Sequence, residues 1–189
     1  MPWEQFELPE LDGRLQLIAG YLANKLRGKD IVDLNCGTAP LLDWLHSYNI
    51  EWGWYYGNDT NEDSILRCLE KDVWSTTFET VPDDGVIDRL RKNCIDPDIL
   101  ICLGYAARHH SLESATLDKS IVRIATEYKP PIIVLDAWLS IIYAKRCKFS
   151  CLLENLTELG YKIAYNWEIS AVDATSSYSR RRVVILEAA

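Results

Sequence analysis

The stretch IVDLNCGTAP, Ile31 to Pro40, decides how the rest of the chain is read. An apolar run carrying one acid, Asp33, passes into a turn around Gly37 and then into the start of a helix. A strand that turns sharply into a helix is how a nucleotide-binding βα unit begins. The helix N-terminus offers unpaired N–H groups, and a bare glycine lets the backbone come close to a ligand. Asn35 and Ala39 stand where such loops commonly carry glycine. Asparagine tolerates left-handed backbone angles better than most residues, so Asn35 can make the turn. Ala39 is small enough to begin a helix packed tightly on the strand. Thr38 is expected to cap that helix, with Pro40 in its first turn, where the missing N–H costs nothing.

Working outward, LDGRLQLIAGYLANKL before the loop has near-helical apolar spacing, and Gly28 is placed to end it. After the loop, EWGWYYGND reads as an aromatic-rich strand and NEDSILRCLEKD as a helix with acids in its first turn. VWSTTFETV is a strand, GVIDRLRKN a short helix, and PDILICLGY a buried strand ending at Gly104. SLESATLDKSIVRIATEY is helical until Pro130 and Pro131 stop it before the strand IIVLDAW. LSIIYAKRCKFSCLLENLTELG reads as one long helix, and YKIAYNWEIS and RRRVVILEA as two strands with no helix between them. Alternating strands and helices predict an α/β fold, a three-layer αβα sandwich with parallel strands joined by right-handed crossovers. The final pair predicts an antiparallel terminal hairpin at one edge.

The chain has 189 residues and no repeat or linker, so residues 1–189 are expected to form a single domain. With 48% hydrophobic residues it is not a disordered chain. No apolar stretch reaches the roughly 18–20 residues needed to span a bilayer, and MPWEQFELPE lacks the marks of a secretory signal. No membrane association is expected, and the expected location is cytoplasmic. Six cysteines occur, none in a C-x-x-C pair. Cys36, Cys94 and Cys102 lie in apolar runs, so buried reduced thiols and no metal site are expected. The formal charge of −8 makes a nucleic-acid partner unlikely. The basic clusters KRCK and RRR, at 145–148 and 180–182, are expected to be solvated.

The second strand strengthens the loop. It ends in Asp59, roughly 20 residues beyond Gly37, where a carboxylate can accept both hydroxyls of a ribose. NCGTAP is a poor match to the dinucleotide form G-x-G-x-x-G, because proline falls at the third glycine. DLNCGTA fits D-x-G-x-G-x-G better, with Asn35 and Ala39 replacing the first and last glycines.

On these residues the chain resembles the class I, Rossmann-like S-adenosylmethionine-dependent methyltransferases. VDLNCGTAPLL is similar to that family's first motif, YYGNDTNED to its second, PDILICLGYAARHH to its fourth-strand motif and PPIIVLDAW to its fifth strand. The resemblance implies a seven-stranded, mostly parallel sheet of order 3-2-1-4-5-7-6, with S-adenosylmethionine as cofactor. It implies that Asp33 and the backbone of Asn35, Cys36 and Gly37 border the methionine portion. Asp59, followed by Thr60, would hold the ribose. Asp84, or its neighbour Asp83, would meet the adenine amino group. Leu103 and Gly104 would lie near the sulfonium.

A general base is needed only for a protonated acceptor. His110 and His109 are the candidate catalytic residues, with Tyr105 and Glu113 nearby, because the segment after the fourth strand is the natural place for one. Asp136 and Trp138 could also face the acceptor. No N/D-P-P-Y follows the fourth strand, which speaks against methylation of adenine or glutamine nitrogen. The acceptor is expected to be a small molecule more readily than a macromolecule, closed over by Trp3, Phe6 and Tyr178; the oligomeric state stays open. Two alternatives remain: a non-catalytic protein of this fold acting as a partner or regulatory subunit, and a nicotinamide-dependent oxidoreductase.

Overall fold

The computed structural model describes residues 13–71, 73–82, 85–103, 113–138, 149–172 and 178–189. In chain order they form α1 (Gly13–Leu22), β1 (Ile31–Leu34), α2 (Pro40–Ser47), β2 (Tyr55–Asp59), α3 (Glu62–Leu69), β3 (Thr76–Thr80) and α4 (Val86–Lys92). There follow β4 (Ile99–Cys102), α5 (Glu113–Glu127), β5 (Ile132–Trp138), α6 (Phe149–Glu158), β6 (Tyr161–Val172) and β7 (Tyr178–Ala188). The strands make one sheet of order β3-β2-β1-β4-β5-β7-β6. β1 to β5 pair in parallel, and β7 runs antiparallel between β5 and β6. The expected order and the terminal hairpin are both present.

The central strands are apolar apart from Asp33 of β1, because both faces are covered. All four residues of β1 and all four of β4 are buried. Successive side chains feed two separate cores. Ile31, Tyr55, Ile99, Ile101, Val134 and Ile185 pack with Leu15 and Ile18 of α1, Leu42 of α2 and Ile65 of α3. Val32, Tyr56, Leu100, Ile133 and Leu186 pack with Ile87 of α4, Ile121 of α5 and Leu152 of α6. Each fully buried Leu or Ile contributes on the order of 1.5–3 kcal/mol. A slip of one residue in any central strand would exchange its two cores.

Several local expectations need correction. α1 ends at Leu22, well before Gly28, and the chain continues through turns that still bury Leu26 completely. α2 is capped by Ala39 rather than Thr38, and Ala39 supplies no side-chain bond to the helix. Cys94 is exposed: it sits at φ 54° in the turn that closes α4, and Ile95 takes the buried place beside it. Arg181 is buried rather than solvated, for reasons given below. Of the long helix expected before β6, residues 139–148, which include the basic KRCK cluster, lie outside the described residues. Among the described residues no helix is long and apolar enough to cross a membrane.

One glycine on the sheet holds the first two strands and the following turn together. A Cβ on Gly57 would stand 2.8 Å from the Phe78 ring and 3.0 Å from Cys36 Sγ. Gly57→Ala should therefore destabilise the fold by about 1–3 kcal/mol, the usual scale of overpacking. Chemical denaturation measures this. An unchanged midpoint would mean that the Phe78 ring swings aside freely.

Candidate functional site

The site is built on the carboxyl ends of β1 and β2, neighbours in the sheet. From Leu34 the chain enters α2 through Asn35, Cys36, Gly37, Thr38 and Ala39. Asn35, Gly37 and Ala39 have φ of 62°, 57° and 52°. Left-handed angles disfavour residues with a Cβ by about 1–2 kcal/mol each, so something outside the loop must hold Asn35 and Ala39 there. The end of β2 does so. Asn58 O accepts the Cys36 N–H at 2.9 Å, and Asp59 Oδ2 accepts the Gly37 N–H at 3.0 Å. Asn58 is itself buried, its amide donating to Val81 O at 3.3 Å. Within the loop Ala39 N–H donates to Cys36 O at 2.9 Å. A Cβ placed on Gly37 would meet nothing within 4 Å among the described residues. The backbone there is bare and open.

Asp59 thus stands beside Gly37, as the spacing predicts, and it also braces the loop. Its other oxygen, Oδ1, accepts the Asn61 N–H at 2.8 Å. Asn61 in turn caps α3, its side chain accepting from Ser64 N–H at 3.2 Å. One carboxylate therefore sets both the loop and the entry of the next helix.

Beneath the loop lies a buried polar cluster on the α1 side of the sheet. Asp33 is 2% exposed and accepts the Tyr55 hydroxyl at Oδ2. Its Oδ1 is buried with no hydrogen-bond partner among the described residues, and so is Asn35 Oδ1. Burial pushes the Asp33 carboxyl up to about 7, against the lowering effect of the Tyr55 bond; Asp59 and Asp136 raise it and Arg14 lowers it. Burial, with Asp33 beside it, also raises the Tyr55 phenol. Asp136 lies inside β5, not beyond it. Its carboxylate is fully buried, bound by Arg14 Nη1 at 2.7 Å and Arg181 Nη1 at 3.1 Å. It therefore pairs with two guanidinium groups. That pairing explains why Arg181 leaves the solvated run around it.

The structure brings Asp33, Asn35, Cys36, Gly37 and Asp59 to one rim. Thr60 is exposed next to them, and half-buried Leu103 follows β4, on the other side of β1. Asp83, Asp84, Gly104, Tyr105, His109 and His110 lie outside the described residues, as do Trp3 and Phe6 and the side chains of Glu113, Trp138 and Tyr178. Residues not anticipated from sequence are Tyr55, Asn58, Asn61, Arg14 and Cys68. The strand pattern marked Tyr55 as core but not as a donor to Asp33. Asn61 carried a readable cap signal, one residue ahead of an acidic first turn.

No protein-family model and no curated protein matches the sequence. Solved structures match its shape. The methyltransferase domain of bacterial CtHen1-CN aligns with TM-score 0.65 at 14% identity, over 92% of this chain and 97% of that one. The small RNA methyltransferase HEN1 aligns with TM-score 0.65 at 15% identity, over 100% of this chain but 26% of that one. An S-adenosylmethionine-dependent methyltransferase from Anabaena variabilis gives 0.64 at 10% identity, over 96% of this chain and 86% of that one. At such identities the likeness establishes the fold, that of the Rossmann-like S-adenosylmethionine-dependent methyltransferases.

The buried acid has a pH signature. Asp33 has a folded-state value of about 7 against an ordinary 3.8. Between these the folded chain holds a proton that the unfolded chain has released, so stability falls as pH rises through that window. Asp33→Asn keeps an acceptor for Tyr55 and abolishes the titration. Relative to wild type, the variant should gain roughly 2–4 kcal/mol between about pH 4.5 and about pH 8. Parallel denaturation curves at the two pH values would refute the assignment if the difference stayed constant.

Proposed function

We propose that the chain is an S-adenosylmethionine-dependent methyltransferase with an acceptor of small-molecule size. The observation that carries this is the loop geometry. Asn35 and Ala39 replace glycines yet adopt glycine-like left-handed angles, and the backbone at Gly37 remains open. A strand-to-helix turn of this shape, kept without the usual glycines, presents bare backbone and a helix N-terminus to a ligand.

The residues present fit the cofactor. Asp33 Oδ1 and Asn35 Oδ1, buried acceptors without partners among the described residues, suit the ammonium of its methionine end. The open face of Gly37 allows close backbone approach. Asp59, at the tip of β2 with Thr60 beside it, suits the ribose hydroxyls. Asp84 is the candidate for the adenine amino group, and Leu103 and Gly104 for the surroundings of the sulfonium. These assignments are supported by chain order relative to β3 and β4. When bound, the cofactor would supply an electrophilic methyl group for in-line transfer to the acceptor, with S-adenosylhomocysteine as the leaving group. The chain's part is to align the acceptor and exclude water. His110, with His109 beside it, is the candidate base for an acceptor that must lose a proton. The net charge of −8 favours a small acceptor over a polyanion.

Titration calorimetry with S-adenosylhomocysteine tests the reading, and absence of heat would favour a non-catalytic partner protein of the same fold. Asp59→Ala should weaken binding by on the order of 1.5–3 kcal/mol. Gly37→Ala separates site from fold. It should lower stability by only about 1–2 kcal/mol, the strain of a left-handed alanine, while its methyl enters the open space and lowers affinity at least about tenfold. Unchanged affinity would place the ligand elsewhere.

A further inference from the structure

Two thiols meet at one backbone oxygen of the loop. Cys36 Sγ lies 3.5 Å from Gly37 O, and Cys68 Sγ, arriving from α3, lies 3.3 Å from the same atom. The neighbouring Cys68 thiol and burial hold the Cys36 thiol well above its ordinary range, and the Cys36 thiol lowers that of Cys68. Lys71, ion-paired to Asp43, adds a positive charge that favours a Cys68 thiolate. Among the described residues no group of three or more His, Cys, Asp or Glu that could hold a metal ion includes them. Two thiols brought to one oxygen from different elements are placed for disulfide formation, and Cys68 is the one more readily ionised.

We propose that Cys36 and Cys68 are a modification site, oxidised by a peroxide to a disulfide that ties the loop after β1 to α3. The Cys68 thiolate attacks one oxygen of hydrogen peroxide, the O–O bond breaks, and the other oxygen leaves as water after taking a proton. The resulting sulfenic acid is attacked by the Cys36 sulfur. An S–S bond forms, the thiol proton and the hydroxyl leave as a second water, and two thiols have given two electrons to one peroxide. A small-molecule disulfide would serve as oxidant by exchange, releasing two equivalents of thiol.

Both sulfurs are buried, Cys36 at 5% and Cys68 at 1% exposure. Access comes through α3. That helix has eight residues, and only Ile65 and Cys68 of them are buried. It borders β3, the edge strand, and turns Leu66 and Leu69 to solvent. An element with so little buried surface opens locally at low free energy. The disulfide bond, about 2.05 Å long, would draw the sulfurs together. Both would then have lost the S–H groups that Gly37 O accepts, so the loop would lose its open shape.

The test uses the wild-type protein. It is treated with hydrogen peroxide, unfolded, alkylated and mapped by mass without reduction. The expected result is one cross-link joining the peptides of Cys36 and Cys68, lighter by two hydrogens and reversed by dithiothreitol. Cys36→Ser should leave Cys68 as a sulfenic acid trapped by dimedone. Exposed Cys94 and Cys151 are internal controls for oxidant dose. If they are oxidised while Cys36 and Cys68 stay alkylatable, or if either pairs with a different cysteine, the proposal is overturned. Affinity for S-adenosylhomocysteine should fall at least tenfold on oxidation, and a cross-linked protein with unchanged affinity would overturn the effect on the loop. The mapping does not depend on the cofactor reading. If the reduced protein fails to bind, that reading fails and the cross-link is still decided by mass.

Discussion

The Asp59 carboxylate is the constraint on which the site depends. It accepts the Gly37 N–H with one oxygen and the Asn61 N–H with the other. Two chain segments that leave neighbouring strands are thereby set against each other, and α2 and α3 start where they do. Hydrogen bonds to a charged acceptor are worth more than neutral ones, about 1.5–3 kcal/mol each. That scale is enough to offset the left-handed strain at Asn35 and Ala39. The loop's shape is thus imposed from β2, which is why it survives without the glycines that would make such a turn easy by themselves.

Around this brace the molecule tolerates an unusual amount of buried polarity. Asp33 and Asp136 both lie on the α1 side of the sheet, and Arg14 and Arg181 reach Asp136 from α1 and β7. Removing a charge from water is opposed by several kcal/mol unless it is paired or neutralised. Asp136 is paired, whereas Asp33 is pushed toward its protonated form. The two acids, close enough to influence each other, thus solve the same problem differently.

Much of this was legible in the sequence for simple reasons. ILIC is a continuous apolar run and IVDL is one broken only by Asp33, and such runs belong to parallel strands covered on both sides. The closing pair of strands had no helix between them, so an antiparallel hairpin was the only short connection. The place of Asp59 at the tip of its strand followed from length alone. Boundaries were less legible. The periodicity of α1 continues past Leu22 because Leu26 remains in the core after the helix has stopped. Cys94 looked buried because its neighbours are apolar, yet the turn closing α4 directs Ile95 inward instead.

Local pattern by itself determined the αβα architecture, the position of the loop and the acid beside it, because periodicity and turn chemistry act within a few residues of each other. Tertiary structure alone decided that Ala39 would behave as a glycine does, that Arg14 and Arg181 would converge on Asp136, and that Cys68 would meet Cys36 at Gly37 O. Each of these joins residues far apart in the chain. Their energies come from desolvation and hydrogen bonding between elements, which no local window contains.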